Sequence, residues 1–180
     1  MNAIETFEHN GKIIEIHQDE DARSPREDCG NLDVMVCLHK RYNLGDKHDY
    51  KFDNFKSWDE LKDQIIKDHD PIAIQPLYLY DHSGITISTS PFSCPWDSGQ
   101  VGFIFIPRKA MLKEWSMKHT SKKLVAKAES FIKGSVECYD KYISGETYGY
   151  IIKEKDRKEG DNCWGFYGIE SVRAEAKAVA

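Results

Sequence analysis

The middle of this 180-residue chain lacks almost all of the charge that the rest of it carries. Between residues 71 and 107 there is no lysine or arginine and only two acids, Asp81 and Asp97, although 31% of all residues are charged. Charged side chains are rarely buried without a partner, so a stretch that avoids them is typical of a protein interior. We therefore predict that the segment centred on residues 77–106 forms the inner strands of the fold.

The chain also lacks the usual features of exported and membrane proteins. No run of 18 apolar residues occurs, and the N-terminus has no basic start followed by an apolar segment. The five cysteines include no C-x-x-C pair, and an odd number without regular spacing argues against a disulfide framework or a zinc finger. We expect a cytoplasmic protein with reduced thiols and no membrane partner.

Motifs for nucleotides and metals are missing too. The sequence contains no Walker A run, no G-x-G-x-x-G and no H-E-x-x-H. A metal site is an alternative because several potential ligands follow predicted strands, although their spacing matches no metal motif. These residues are His39, Asp46, His48, Asp81 and His82. We predict neither a metal nor a cofactor.

The charge outside the middle is unevenly distributed. Residues 1–70 carry 17 acids and 10 bases, whereas residues 108–180 carry 15 bases and 11 acids. Eight of those bases fall between residues 108 and 133, beside two acids. A basic segment can contact phosphates or an acidic partner, and solvation of an amphipathic helix is the alternative. The acidic pI of about 5.8 weighs against nucleic-acid binding by the chain as a whole.

The patterns predict a single α+β domain over residues 1–180. Ser57 and Glu60 match a capping box that starts a helix at 57–69, and an apolar stripe predicts a longer helix at 121–144. Residues 18–31 are expected to form a surface loop, and short helices are expected at 107–118 and 171–180. One mixed or mainly antiparallel sheet is predicted from strands at 12–17, 33–39, 72–80, 84–89 and 100–106 and a C-terminal hairpin at 147–167.

The polar residues kept within the charge-poor stretch fall at strand ends and in loops, where rigid folds commonly place binding groups. Aromatic rings beside a basic helix can also stack on single-stranded nucleic acid, with core packing as the alternative. The predicted binding residues are Tyr78, Tyr80, Trp96 and Gln100 in this stretch, His39, Arg41, Tyr42 and Asp46 after the second strand, and Lys118, Lys122, Lys123 and Lys127 in the basic segment.

A cysteine nucleophile is the main enzymatic alternative. Cys94 would be activated by His82, with Asp81 or Asp97 orienting the imidazole, because a thiol needs a nearby base to become a thiolate. However, Cys94 precedes a proline in a loop instead of starting a helix, and the residue order of papain-like enzymes is missing. We therefore favour a binding protein over an enzyme.

Four motifs carry a resemblance to a known family. They are HKRYxLGD at 39–46, LYxYDHSG at 77–84, CxWDSGQVG at 94–102 and CWGFYG at 163–168. Over about residues 30–168 the chain resembles a family of small proteins from phages, plasmids and conjugative elements of gut Firmicutes.

The resemblance supplies no catalytic residues and implies a mobile-element protein that counters host defence. Anti-CRISPR and antirestriction proteins usually occupy a nuclease or its nucleic acid. We therefore expect binding and inhibition of a host defence nuclease, for example an RNA-guided DNA-cleaving effector with its bound nucleic acid. The alternative is a Cys/His-dependent hydrolase or transferase acting on a small or nucleotide-like substrate.

Overall fold

The computed structural model describes residues 2–27, 30–154 and 160–180. Within these ranges the strands are β1 Glu5–His9, β2 Lys12–Gln18, β3 Val34–Cys37, β4 Pro71–Asp81, β5 Ile85–Ser88, β6 Ser98–Pro107, β7 Thr147–Lys153 and β8 Asp161–Tyr167. The α-helices are α1 Trp58–His69, α2 Arg108–Glu114, α3 Lys122–Ile143 and α4 Ile169–Val179, and a short 3-10 helix lies at Phe52–Asn54.

The strands form two antiparallel four-stranded sheets, whereas one sheet was expected. Their orders are β1-β2-β7-β8 and β3-β6-β4-β5. The chain divides into two compact units, Met1–Pro25 with Lys141–Ala180, and Arg26–Asp140. The α+β class is confirmed, and the existence of a single domain stays a prediction. The separation was not predictable because strand periodicity shows which residues face a core but not which strands pair.

The first unit is built on the β1–β2 hairpin and the β7–β8 pair. Asn10 and Gly11 both have positive φ, as a tight hairpin turn with the twist of the strands requires. Apolar side chains of β2, β7 and α4 form its core, namely Ile14, Ile16, Tyr150, Ile152, Val172 and Ala176. The predicted hairpin at 147–167 is confirmed, and its tip at 155–159 lies outside the described residues, as does Cys29.

The second unit places the charge-poor stretch at its centre. β4 and β6 are the two inner strands of its sheet, as predicted, and Leu77, Ile104 and Phe105 are fully buried. β5, which belongs to the same charge-poor stretch, lies at the edge of the sheet, so the prediction of an inner strand was wrong there. On one face, Leu61 and Ile65 of α1 pack against a cluster that includes Phe105. The pairing of β4 with β6 is irregular between Leu77 and Tyr78, so a bulge separates the apolar part of β4 from its polar end.

The two main helices follow their predicted patterns. In α1, the Ser57 hydroxyl accepts from the Glu60 amide at 3.2 Å, and the Glu60 carboxylate accepts from the Lys56 amide at 2.7 Å. The helix ends at His69, and the next residue, Asp70, has a left-handed backbone conformation and precedes a proline. The buried side of α3 consists of Leu124, Ala128, Ile132, Val136 and Tyr139. Among the described residues, none of the helices has the length and apolar character needed to cross a membrane.

Gly102 lies where β6 approaches β3 too closely for a side chain. It pairs with Cys37, and a Cβ at this position would lie 1.9 Å from the carbonyl oxygen of Val36. We predict that Gly102→Ala destabilises the protein by at least about 1–3 kcal/mol, because backbone must move to admit the methyl group. Urea denaturation checks this.

Gly99 provides a matched control in the same strand, since a Cβ there meets nothing within 4 Å. Gly99→Ala should unfold within about 0.5 kcal/mol of the parent protein. Equal stabilities for the two variants would contradict the close packing of β3 against β6.

Candidate functional site

One end of the second sheet collects most of the predicted site residues. β3 and β4 both run antiparallel to β6. The C-terminal ends of β3 and β4 and the start of β6 therefore lie at the same end of the sheet. We call the functional residues at this end of the sheet the strand-end patch. It consists of Arg41, Tyr42, Asp81, His82, Cys94, Trp96 and Asp97.

Asp81 joins the loop after β3 to the end of β4. Its carboxylate accepts hydrogen bonds from the Arg41 guanidinium and, at 3.2 Å, from the Tyr42 hydroxyl. Arg41 remains 68% exposed, whereas the side chain of Asp81 is mostly covered. The guanidinium has five N–H donors, so it can pair with Asp81 and still offer donors to a bound partner.

His39 supports this loop. Its ring stacks on Tyr42 with centroids 5.0 Å apart and planes 11° from parallel. Its Nδ1 accepts from the backbone amides of Arg41 and Tyr42, at 3.3 and 3.2 Å. His39, predicted as a binding residue, therefore has a structural role in shaping the loop that carries Arg41 and Tyr42.

Asp97 links the other two loops of the patch. Its Oδ2 lies 3.3 Å from His82 Nδ1 and accepts from the Cys94 thiol at 3.6 Å. Its carbonyl accepts from the Asp81 amide at 2.8 Å, which continues the β4–β6 pairing. The contacts form a chain from thiol to carboxylate to imidazole, so the atom beside the Cys94 sulfur is a carboxylate oxygen.

Trp96 stands out because its side chain is almost entirely in water. It is 92% exposed, between Cys94 and Asp97 in a loop whose backbone is tied by the Ser98 hydroxyl, which donates to the Cys94 carbonyl at 2.5 Å. Tyr80 contacts Phe92 nearby, with ring centroids 5.7 Å apart. An exposed tryptophan on a braced loop is typical of an interface anchor.

Three other predicted binding residues have different surroundings. Tyr78 is half-buried within β4, and the Gln100 amide donates to the Gly102 carbonyl at 3.3 Å within β6. Asp46 accepts hydrogen bonds from Arg26 and from the Met35 amide, so its carboxylate stabilises the fold.

The predicted lysines all lie exposed before or within the first turns of α3, and Lys127 Nζ lies 3.9 Å from the Trp115 ring centroid. They are Lys118, Lys122, Lys123 and Lys127.

The partner of Asp46 was missed in the sequence, where residues 18–31 predicted a surface loop. Arg26 is only 3% exposed and donates to Asp46 at 2.9 and 2.5 Å and to Asp33 at 2.5 Å. Burial acts to lower the pKa of Arg26, but the bonds to Asp46 and Asp33 outweigh it and raise that pKa. A basic residue in an acidic loop carries no periodic signal, which is why sequence patterns did not find it.

The metal alternative gains no geometric support. Across residues 2–27, 30–154 and 160–180, no three His, Cys, Asp or Glu side chains are placed to hold a metal ion. Asp46 is bound to Arg26, and His48 Nε2 lies 3.0 Å from the Cys37 carbonyl. The candidate ligands thus serve separate contacts.

No protein family, curated protein or solved structure matches this chain. The argument about function therefore depends on the site itself.

Arg26 provides a direct test of the buried network. Arg26→Met leaves Asp33, whose side chain has no exposed surface, without its cation. We predict a loss of roughly 3–5 kcal/mol in the free energy of unfolding, because an unpaired buried carboxylate is costly. Arg41→Met, which removes an exposed cation, should cost less than about 1 kcal/mol. Similar denaturation midpoints for the two variants would contradict this assignment.

Proposed function

We propose that the protein acts by binding a protein partner through the strand-end patch. The observation that carries this proposal is the exposure of Trp96 on a loop whose neighbours are fixed by hydrogen bonds. Trp and Arg are the residues most enriched at the energetic centres of interfaces, and Arg41 lies in the same patch. A preformed anchor also avoids the entropy cost of ordering a loop on binding.

We propose further that the partner is a host defence nuclease in the bacterial cytoplasm. The resemblance to proteins of phages and conjugative elements supports this partner class, since such accessory proteins commonly block restriction or CRISPR nucleases. The mixed charges of the patch, with the Arg41 guanidinium beside the Asp81 carboxylate and a second carboxylate at Asp97, suit a protein surface better than a uniformly negative nucleic acid. The exposed lysines of α3 would then contact nucleic acid held by the nuclease.

Trp96→Ala tests the patch as the binding surface. We expect the variant to bind and inhibit the nuclease at least about 30-fold more weakly, as truncation of an anchor residue does. The measurement is pull-down with a panel of restriction and CRISPR effectors, followed by a cleavage assay.

Trp164→Ala is the matched control because Trp164 is 39% exposed and lies in the other unit. It should bind like the parent protein. No binding by the parent to any effector of the panel, or equal losses in both variants, would count against the proposal.

The enzymatic alternative is favoured by one observation, the contact of Asp97 with both Cys94 and His82. A cysteine hydrolase or transferase needs its thiol proton taken up by a base, usually an imidazole. Here the thiol donates to a carboxylate oxygen, Asp97 Oδ2, and His82 Nδ1 contacts that same oxygen and not the sulfur. This arrangement supports a role for the three residues in shaping the loop around Trp96.

Alkylation with iodoacetamide at neutral pH separates the two functions. Among the cysteines that the structure describes, we expect exposed Cys163 to react first and Cys37 to stay unmodified, since burial raises the pKa of Cys37 to about 12. Peptide mapping by mass spectrometry gives the order. Modification of Cys94 ahead of Cys163, with loss of an activity in both Cys94→Ala and His82→Ala, would favour the enzyme.

A further inference from the structure

A cleft of about 700 Å³ lies in the second unit, and none of its lining residues belongs to the strand-end patch. β3 and the segment at 47–55 form part of the lining, and the C-terminal turns of α1 supply Gln64, Asp68 and His69. The volume falls within the range of small-molecule and side-chain pockets.

Tyr50 organises the polar lining of the cleft. Its hydroxyl donates to Asp68 Oδ2 at 2.9 Å, and His69 Nε2 lies 3.1 Å from the same hydroxyl. Because the hydroxyl proton is directed to Asp68, the Tyr50 oxygen accepts from His69 Nε2–H. Gln64 donates its amide to Asp68 Oδ1 at 2.8 Å.

The protonation states of Tyr50 and Asp68 are well defined at neutral pH. Burial, reinforced by the hydrogen bond to Asp68, raises the pKa of Tyr50 to about 12, so the phenol keeps its proton. The hydrogen bonds from Gln64 and Tyr50 lower the pKa of Asp68, so its carboxylate stays charged.

The network keeps acceptors for a ligand. The Gln64 amide oxygen and the remaining lone pairs of the Asp68 carboxylate can accept, and the second N–H of Gln64 is a donor beside them. With the lining residues His48 and His69 counted as neutral, Asp49, Asp68 and Lys47 leave one net negative charge in the cleft. Tyr50 and Phe55 add two aromatic rings whose centroids lie 6.1 Å apart. Such a site suits a ligand that is cationic, rich in donors and able to lie against a ring.

We propose that this cleft binds the guanidinium group of an organic cation. A guanidinium carries its charge on a planar group with five donors, pairs with carboxylates through parallel hydrogen bonds and stacks on aromatic rings. The same chemistry comes from a free alkylguanidine or from an arginine side chain of another protein. The inference does not depend on the proposed function, because it uses a different set of residues.

Titration of the full chain with two probes tests the proposal, with amide chemical shifts as the readout. Agmatine represents the free cation, and N-acetyl-arginine amide represents the protein side chain. We expect saturable shifts at residues 47–69 with at least one probe. The probe that binds more tightly shows whether the natural ligand is a free alkylguanidine or an arginine side chain of another protein. Inorganic phosphate, which has the opposite charge, should not saturate.

Asp68→Asn removes the charge with little change in shape and should weaken binding by about tenfold or more, a loss of roughly 1.4 kcal/mol. Asp63→Asn is the control, since Asp63 is exposed on α1 and does not line the cleft. Trp96→Ala should leave probe binding unchanged even if it abolishes nuclease binding. Absence of saturation by both probes up to about 10 mM, or equal affinities for Asp68→Asn and Asp63→Asn, would overturn the proposal.

Discussion

The ion pair between the buried Arg26 and the partly covered Asp46 is the interaction on which the second unit depends. Both carboxylate oxygens of Asp46 accept from Arg26, and one also accepts from the Met35 amide. The adjacent Gly45 is left-handed, and its amide donates to the Tyr139 hydroxyl at 2.9 Å. A Cβ on Gly45 would lie 2.5 Å from the Met35 carbonyl, so this turn fits against β3 only with glycine.

This ion pair also positions two side chains of the strand-end patch. The loop that ends at Asp46 carries Arg41 and Tyr42, and fixing its end against β3 holds these side chains beside Asp81. Buried ion pairs contribute little net stability compared with apolar packing, yet they can specify one arrangement of a chain. In this protein the ion pair fixes where Arg41 and Tyr42 lie relative to Asp81, at the polar end of the sheet.

A second anchor secures the outer edge of the same sheet. Asp140, near the end of α3, accepts from the Thr86 hydroxyl at 2.6 Å and from the Ile87 amide at 2.7 Å. These bonds occupy part of the free edge of β5, which would otherwise offer unpaired backbone groups to another strand. Trp96 therefore projects from a sheet whose loops and edge are both tied down, and that rigidity favours recognition by a preformed surface.

Some of this architecture was predictable from the sequence for clear physical reasons. The absence of charge between residues 71 and 107 marked β4 and β6 as inner strands, and Ser57 with Glu60 marked the start of α1. The capping box joins residues three positions apart, and the inner strands are marked by composition alone, so both can be read from the sequence. β1 was missed because its five residues, ETFEH, contain one large apolar side chain, Phe7.

Interactions between residues distant in sequence were not predictable. Arg26 and Asp46 are 20 positions apart, and no periodicity links them. The same holds for Tyr50 and Asp68, 18 positions apart, which organise the cleft. The polar residues of the patch were identified by type, whereas their pairing through Asp81 and Asp97 required the fold.

The most direct test of the central claim is site-specific photo-cross-linking. A photoreactive phenylalanine would replace Ser93, which is exposed in the loop that carries Trp96, in one variant and Lys123, on the basic helix, in another. Each variant is mixed with a nuclease that the protein inhibits and then irradiated. The account predicts a covalent adduct with the nuclease protein from position 93. Adducts from position 123 alone, while position 93 stays unreacted, would place the binding surface elsewhere and contradict the account.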